Sequence, residues 1–176
     1  MIKYAKITDE QTGLCEVGIG TNTEFYQSIG MTEQDVCQSS VNGNWYLSEK
    51  CPQKTYEQLL LEEKNKKHEE NTRLAKLAVE NGHVVFKNAE FETNAQTVGD
   101  LTATMLLMQA GEIETYLWLS KDDKAVELSL EDFGTLGGLI AEFKNTIWQE
   151  KYITYKTQIE QAQTVDAVNA IVLDYN

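Results

Sequence analysis

From Glu62 to Arg73 the chain carries no apolar side chain at all, only Glu, Lys, Asn, His, Thr and Arg. A segment of this kind cannot supply a hydrophobic stripe to a core, yet most of its residues are good helix formers. Helix-favouring sequence extends from Thr55 to Glu80, and Asn81-Gly82 supplies a stop of the C-cap type. Glu62–Lys66 and Glu63–Lys67 stand at i, i+4 in the favourable order, each adding about 0.3 kcal/mol. A helix that is polar all round bridges solvent between other parts. Residues 54–81 are therefore expected to form a polar helical connector, roughly 40 Å long if continuous at about 1.5 Å per residue. It divides the chain into residues 1–53 and 82–176, and the predicted class is α+β.

The first module reads as β-rich. Ile2, Tyr4 and Ile7 lead into the turn Asp9 to Gly13, and Leu14 to Ile19 continues as a second strand, which makes a hairpin. Val36 to Ser40 and Trp45 to Leu47 flank Asn42-Gly43, a pair suited to the positive φ angles of a type I′ turn. Thr23 to Ile29 fits one short helical turn. Cys51-Pro52, with the only proline of the chain, closes the module.

The second module opens on the β-prone His83 to Phe86, with Phe91 ending that stretch. Asn94 caps a helix carrying Val98, Leu101, Met105 and Met108 as far as Gly111. Tyr116 to Leu119 and Ala125 to Leu128 form a further hairpin about Ser120 to Lys124. Ser129 to Asp132 is a capping-box variant at the head of the longest helix. Its apolar residues run Phe133, Leu136, Ile140, Phe143, Ile147, then resume one residue out of phase at Trp148, Tyr152, Tyr155, Ile159 and Ala162. The first set fits a coiled-coil seam or the drifting face of a core helix. Gly134, Gly137 and Gly138 within it fit close helix packing or a break between two helices. Thr164 caps a last short helix.

The chemistry-bearing patterns do not assemble. Gly18-Ile19-Gly20 lacks the third glycine of a dinucleotide loop, that position being Thr23, and no phosphate-loop lysine follows. A bulge or tight strand exit accounts for the two glycines instead. His68 and His83 read as solvated surface residues, without a nucleophile and a third group in register. Asp122-Asp123 lacks the alternating ligands of a calcium loop. Cys15, Cys37 and Cys51 show no zinc spacing and read as reduced thiols of a cytosolic protein. No catalytic, cofactor-binding or metal residue is assigned, and no cofactor is expected.

A net charge of −13 disfavours nucleic acid and anionic membrane surfaces as partners. Met1 to Lys6 has no signal-peptide core and no run is long enough to span a membrane, so a soluble chain made in the cytoplasm is expected. The residues suited to a partner surface are aromatic: Trp45, Tyr46, Tyr116, Trp118 and Trp148. Core packing competes for those in the hairpins.

The stretch from Tyr4 to Val36, with Gly43-Asn44-Trp45-Tyr46-Leu47 and the following proline, resembles the short N-terminal module of tailed-phage and prophage proteins encoded in the tail-fibre region. Residues 83–176 resemble a C-terminal domain of unknown function found in phage tail-fibre and fibre-associated proteins. Three segments carry that likeness: Val84 to Leu101, Tyr116 to Leu136, and the long helix into Ile159 to Ile171. The resemblance implies a non-enzymatic, minor virion component at the tail tip or baseplate, or an assembly chaperone for fibres. A receptor- or carbohydrate-binding module is a third reading. Implied partners are other phage tail proteins, further copies of the chain (a trimer included), or host surface glycans. The implied location is the virion tail or the cytoplasm of the bacterial host.

Overall fold

The computed structural model describes residues 2–176; Met1 lies outside them. The architecture is α+β, as expected, and the chain divides into two compact units between Leu59 and Leu60.

In the first unit, β1 (Ile2–Asp9) and β2 (Leu14–Gly20) form the predicted hairpin. With β3 (Thr32–Glu33), β4 (Val36–Gln38) and β5 (Trp45–Leu47) they make an antiparallel sheet in the order β3-β1-β2-β5-β4. Ala5, Cys15 and Val36 are buried together, with Val17, Trp45 and Leu47 packed around them. Period two in β1 turns Tyr4 away from Ala5, and the short helix α1 (Thr23–Ser28) supplies its cover: Tyr26 stacks on Tyr4 with ring centroids 4.5 Å apart. The Asn22 side chain caps α1 by accepting the Phe25 N–H at 3.0 Å.

Gly18 and Gly20 take part in regular pairing, opposite Tyr4 and Ile2, so neither forms a bulge; the register shift of this hairpin lies at Ile7/Asp9. Their role is steric. A Cβ on Gly18 would overlap the ring of Tyr26, and one on Gly20 would stand 2.9 Å from its hydroxyl. The tyrosine lies across the two glycines, its hydroxyl donating to the Ile19 carbonyl at 3.1 Å.

The β4–β5 loop runs from Ser39 to Asn44 and is longer than the type I′ turn expected from Asn42-Gly43. Gly43 alone takes the positive φ, +77°. Asn42 works through its side chain, accepting the Asn44 N–H at 3.0 Å and donating to the Tyr46 hydroxyl at 2.9 Å. The reading of three reduced thiols is corrected: Cys37 and Cys51 form a disulfide, with Cα atoms 6.2 Å apart. The hairpin and the 3₁₀ turn Ser48–Lys50 fold the chain back beside β4, a juxtaposition that a spacing of 14 residues does not reveal. Cys15 remains a buried thiol, and desolvation raises its pKa.

Helix α2 (Tyr56–Asn81) is continuous, and from Leu60 onward it belongs to the second unit. The stretch Glu62 to Arg73, without an apolar stripe, nevertheless buries one residue. Asn71 is 0% exposed, held by polar bonds where apolar contacts are lacking. Its Nδ2 donates to the Tyr152 carbonyl at 3.2 Å, and its Oδ1 accepts the Tyr175 hydroxyl at 2.5 Å. Ala75, one turn on, is buried as well. Lys66 and Lys67 pair at i,i+3 spacing with Glu63 and Glu70. Gly82, just past the helix, has no positive φ; a side chain there would strike the Phe143 ring.

Beyond α2, β6 (His83–Phe86) and β7 (Ala89–Glu92) form a hairpin that the sequence reading took as one stretch. Lys87 and Asn88 both take positive φ, +49° and +60°, and so make the tight turn without glycine. Then come α3 (Ala95–Gln109), capped by Asn94, the hairpin β8 (Thr115–Leu119) with β9 (Ala125–Ser129), and α4 (Leu130–Asn145) behind a complete Ser129/Asp132 capping box. Phe91, Leu101, Met108, Leu128, Phe133, Leu136 and Ile140 form the core between hairpins and helices.

From α4 the helix continues through a π segment, Thr146–Tyr152, into α5 (Ile153–Gln161). A π turn holds one residue more than an α turn, which explains the one-residue phase slip after Ile147. It keeps Ile147 and Ile159 both buried. The helix runs unbroken through its glycines; a Cβ added at Gly137 would stand at an ordinary 3.7 Å from Leu101, while Gly134 and Gly138 face open space. The short α6 (Val165–Asn169) follows, capped by Thr164 as expected. Among the described residues no helix is long and apolar enough to cross a membrane.

Candidate functional site

The five residues of β8, Thr-Tyr-Leu-Trp-Leu, contain no charge, proline or bulge. Alternation puts Tyr116 and Trp118 on the inner face, Trp118 half-buried and Tyr116 still 43% exposed. Both meet Phe133 edge-on, at 6.3 and 5.8 Å between centroids. Leu117 and Leu119 point the other way and are 66% and 65% exposed.

The turn after β8 fixes which backbone groups face outward. Ser120 N–H donates to the Lys124 carbonyl at 2.9 Å and Asp123 N–H to the Ser120 carbonyl at 3.1 Å, with Asp123 at φ +58°. This is a type I turn followed by a left-handed residue, the frame of a three-residue hairpin loop. Ser120 and Lys124 are thus a bonded pair, and antiparallel alternation makes Trp118–Val126 and Tyr116–Leu128 the next bonded pairs. Thr115, Leu117 and Leu119 consequently turn their N–H and C=O groups to the open edge. Among the described residues β8 pairs with β9 alone.

Asp122 holds the turn rigid. One oxygen accepts from the Ser120 hydroxyl at 2.7 Å and the Glu90 N–H at 3.0 Å, and the other meets Lys124 Nζ at 2.6 Å. These donors hold its pKa well below the usual carboxylate range. Lys121 N–H donates to the Glu90 carbonyl at 2.8 Å, so the turn is fastened to β7. At the other end of β9, Asp132 bonds Lys87 Nζ at 2.7 Å and the Ser129 N–H at 2.8 Å, lowering its pKa to about 2. Asp122 and Asp132 are thereby committed to holding the hairpins.

Across from the open edge, α3 presents Gln96, Thr97, Asp100, Ala103 and Thr104 along one face. Between them and Tyr116 to Leu119 lies a cleft of about 500 Å³, with Glu92 at its rim. The cleft lining holds two carboxylates and no cation. Glu92 accepts from the Asn94 amide at 2.9 Å and Asp100 from Gln96 Nε2 at 2.9 Å, and among the described residues neither has an ion-pair partner.

Of the aromatic residues singled out in the sequence, Tyr116 and Trp118 share this site. Tyr46 is buried and Trp45 packs in the first unit's core beneath Lys3, whose Nζ lies 5.0 Å from the ring centroid. Trp148 sits on the π segment against Tyr152. Sequence reasoning missed Leu117 and Leu119, although the uncharged alternation of β8 was the available signal. It also missed Glu92, Asp100 and Ala103, which come from elements that only the fold brings together. His83 stands 3.8 Å from Glu90, and His68 lies on the polar side of α2 beside Arg73. No cluster of three or more potential metal ligands occurs among the described residues. Comparison with protein-family models, with curated proteins and with solved structures gives no match.

Proposed function

We propose that this chain is a non-enzymatic protein-binding component of a phage tail-fibre apparatus, carried on the virion at the tail tip or baseplate, and that the β8–α3 cleft is its contact with a partner. The open β8 edge carries this reading. It offers unpaired backbone groups and exposed leucines, on a hairpin fixed at its turn by Asp122, and such edges are ordinarily blunted by charge, proline or cover. The resemblance of both modules to tail-fibre-region proteins supplies the setting.

The Cys37–Cys51 disulfide favours the virion over a chaperone that acts only in the cytoplasm, since disulfides persist on extracellular particles and are reduced in the cytosol. Mass spectrometry of purified virions tests the assignment. The chain should be found at stoichiometric level with the fibre; its presence in infected cells but not in particles would transfer the role to an assembly chaperone.

A further inference from the structure

We propose that the occupant of the β8–α3 cleft is an extended partner segment in which apolar residues alternate with lysine or arginine, added to β8 as a third strand. This rests on the cleft being a partner-binding surface and names the chemistry of what binds.

A strand laid against β8 can pair with the outward N–H and C=O groups of Thr115, Leu117 and Leu119. Its side chains alternate between two surroundings. On one side they lie beside Leu117 and Leu119, both largely exposed, which calls for apolar residues. On the other they face α3, where the small Ala103 lines the cleft and, among the described residues, Asp100 and Glu92 stand without ion-pair partners, which calls for cations. A second copy of this chain does not fit: its β8 brings no cation, and at a net charge of −13 two acidic clefts repel one another.

The test uses the full chain and a peptide about the length of β8 that alternates valine and lysine, followed by calorimetric titration. The expected result is saturable binding that weakens as salt rises, with a valine–glutamate peptide silent. N-methylating the peptide on the amides that would face β8 should weaken binding by about tenfold or more, because it removes the strand bonds while leaving the protein untouched. Asp100→Lys, which leaves Glu92 in the lining, should weaken the preference for the valine–lysine peptide. Equal binding of both peptides, or no effect of N-methylation, would overturn the proposal. So would a dimer in light scattering that Leu117→Lys converts to monomer, which would give the edge to a second copy. Absence from virions would bear on the tail assignment alone; a valine–lysine peptide that binds would stand regardless.

Discussion

Replacing Asn71 with alanine is the perturbation that best separates this structure from what hydropathy implies. Asn71 is fully buried although the stretch it belongs to, Glu62 to Arg73, has no apolar side chain, and it makes two bonds to residues 81 and 104 positions away. Alanine leaves the Tyr175 hydroxyl without its acceptor, takes the side-chain donor from the Tyr152 carbonyl, which keeps its bond in the continuing helix, and opens a small void. An unsatisfied buried group costs about 1–3 kcal/mol. The half-buried Tyr175 hydroxyl can recover part of its loss from water, so the total with the void comes to about 2 kcal/mol, within the common range for destabilising substitutions. At this chain length that lowers the melting temperature by roughly 6 °C. Tyr175→Phe removes one bond and should cost about 1 kcal/mol, with the two substitutions coupled when combined. Urea unfolding followed by circular dichroism measures both. An Asn71→Ala chain within about 0.5 kcal/mol of the parent would mean that α2 behaves as a free spacer and that its docking contributes nothing.

Gly18→Ala should destabilise the first unit by about 1–3 kcal/mol through overlap with Tyr26, and the same change should be near neutral in a Tyr26→Ala background. Acid should loosen the second unit's hairpins. Asp132 ionises at about 2 in the folded chain against an ordinary 3.8, so its stabilisation is present above 3.8 and is lost as the pH falls to about 2, while Asp122, lowered further, gives up its contribution over a more acidic range. Lys87→Gln should flatten that dependence in an acid titration followed by near-ultraviolet circular dichroism. Reducing the Cys37–Cys51 bond, or Cys37→Ser with Cys51→Ser, should cost the first unit about 3 kcal/mol, as expected for a loop of this length. An unchanged urea midpoint with and without reductant would contradict it.

Much of the fold was legible because its signals are local. The caps at Asn94, Ser129 and Thr164, the β1–β2 hairpin and the β8–β9 hairpin all depend on residues within a few positions of one another. The phase slip after Ile147 was legible too, though its cause, a π turn, was not. What escaped depends on distance in sequence. Asn71 reads as one more polar residue of a solvated helix until Tyr152 and Tyr175 arrive beside it. Cys37 and Cys51 read as separate thiols until a hairpin and a 3₁₀ turn bring them together. The Lys87-Asn88 turn escaped because left-handed backbone there is made without glycine. The cleft is the extreme case: one wall comes from β8, the other from α3, and the charge at its rim from β7.

The central claim, that β8 presents an unpaired backbone edge to a partner, is tested most directly by residue-resolved amide hydrogen exchange across Thr115 to Leu119. In the free chain the amides of Thr115, Leu117 and Leu119 should exchange much faster than those of Tyr116 and Trp118, which bond to β9, and adding the valine–lysine peptide should slow the fast set to the pace of the slow one. Equal protection of all five in the free chain would mean that the edge is already covered, and would contradict the account.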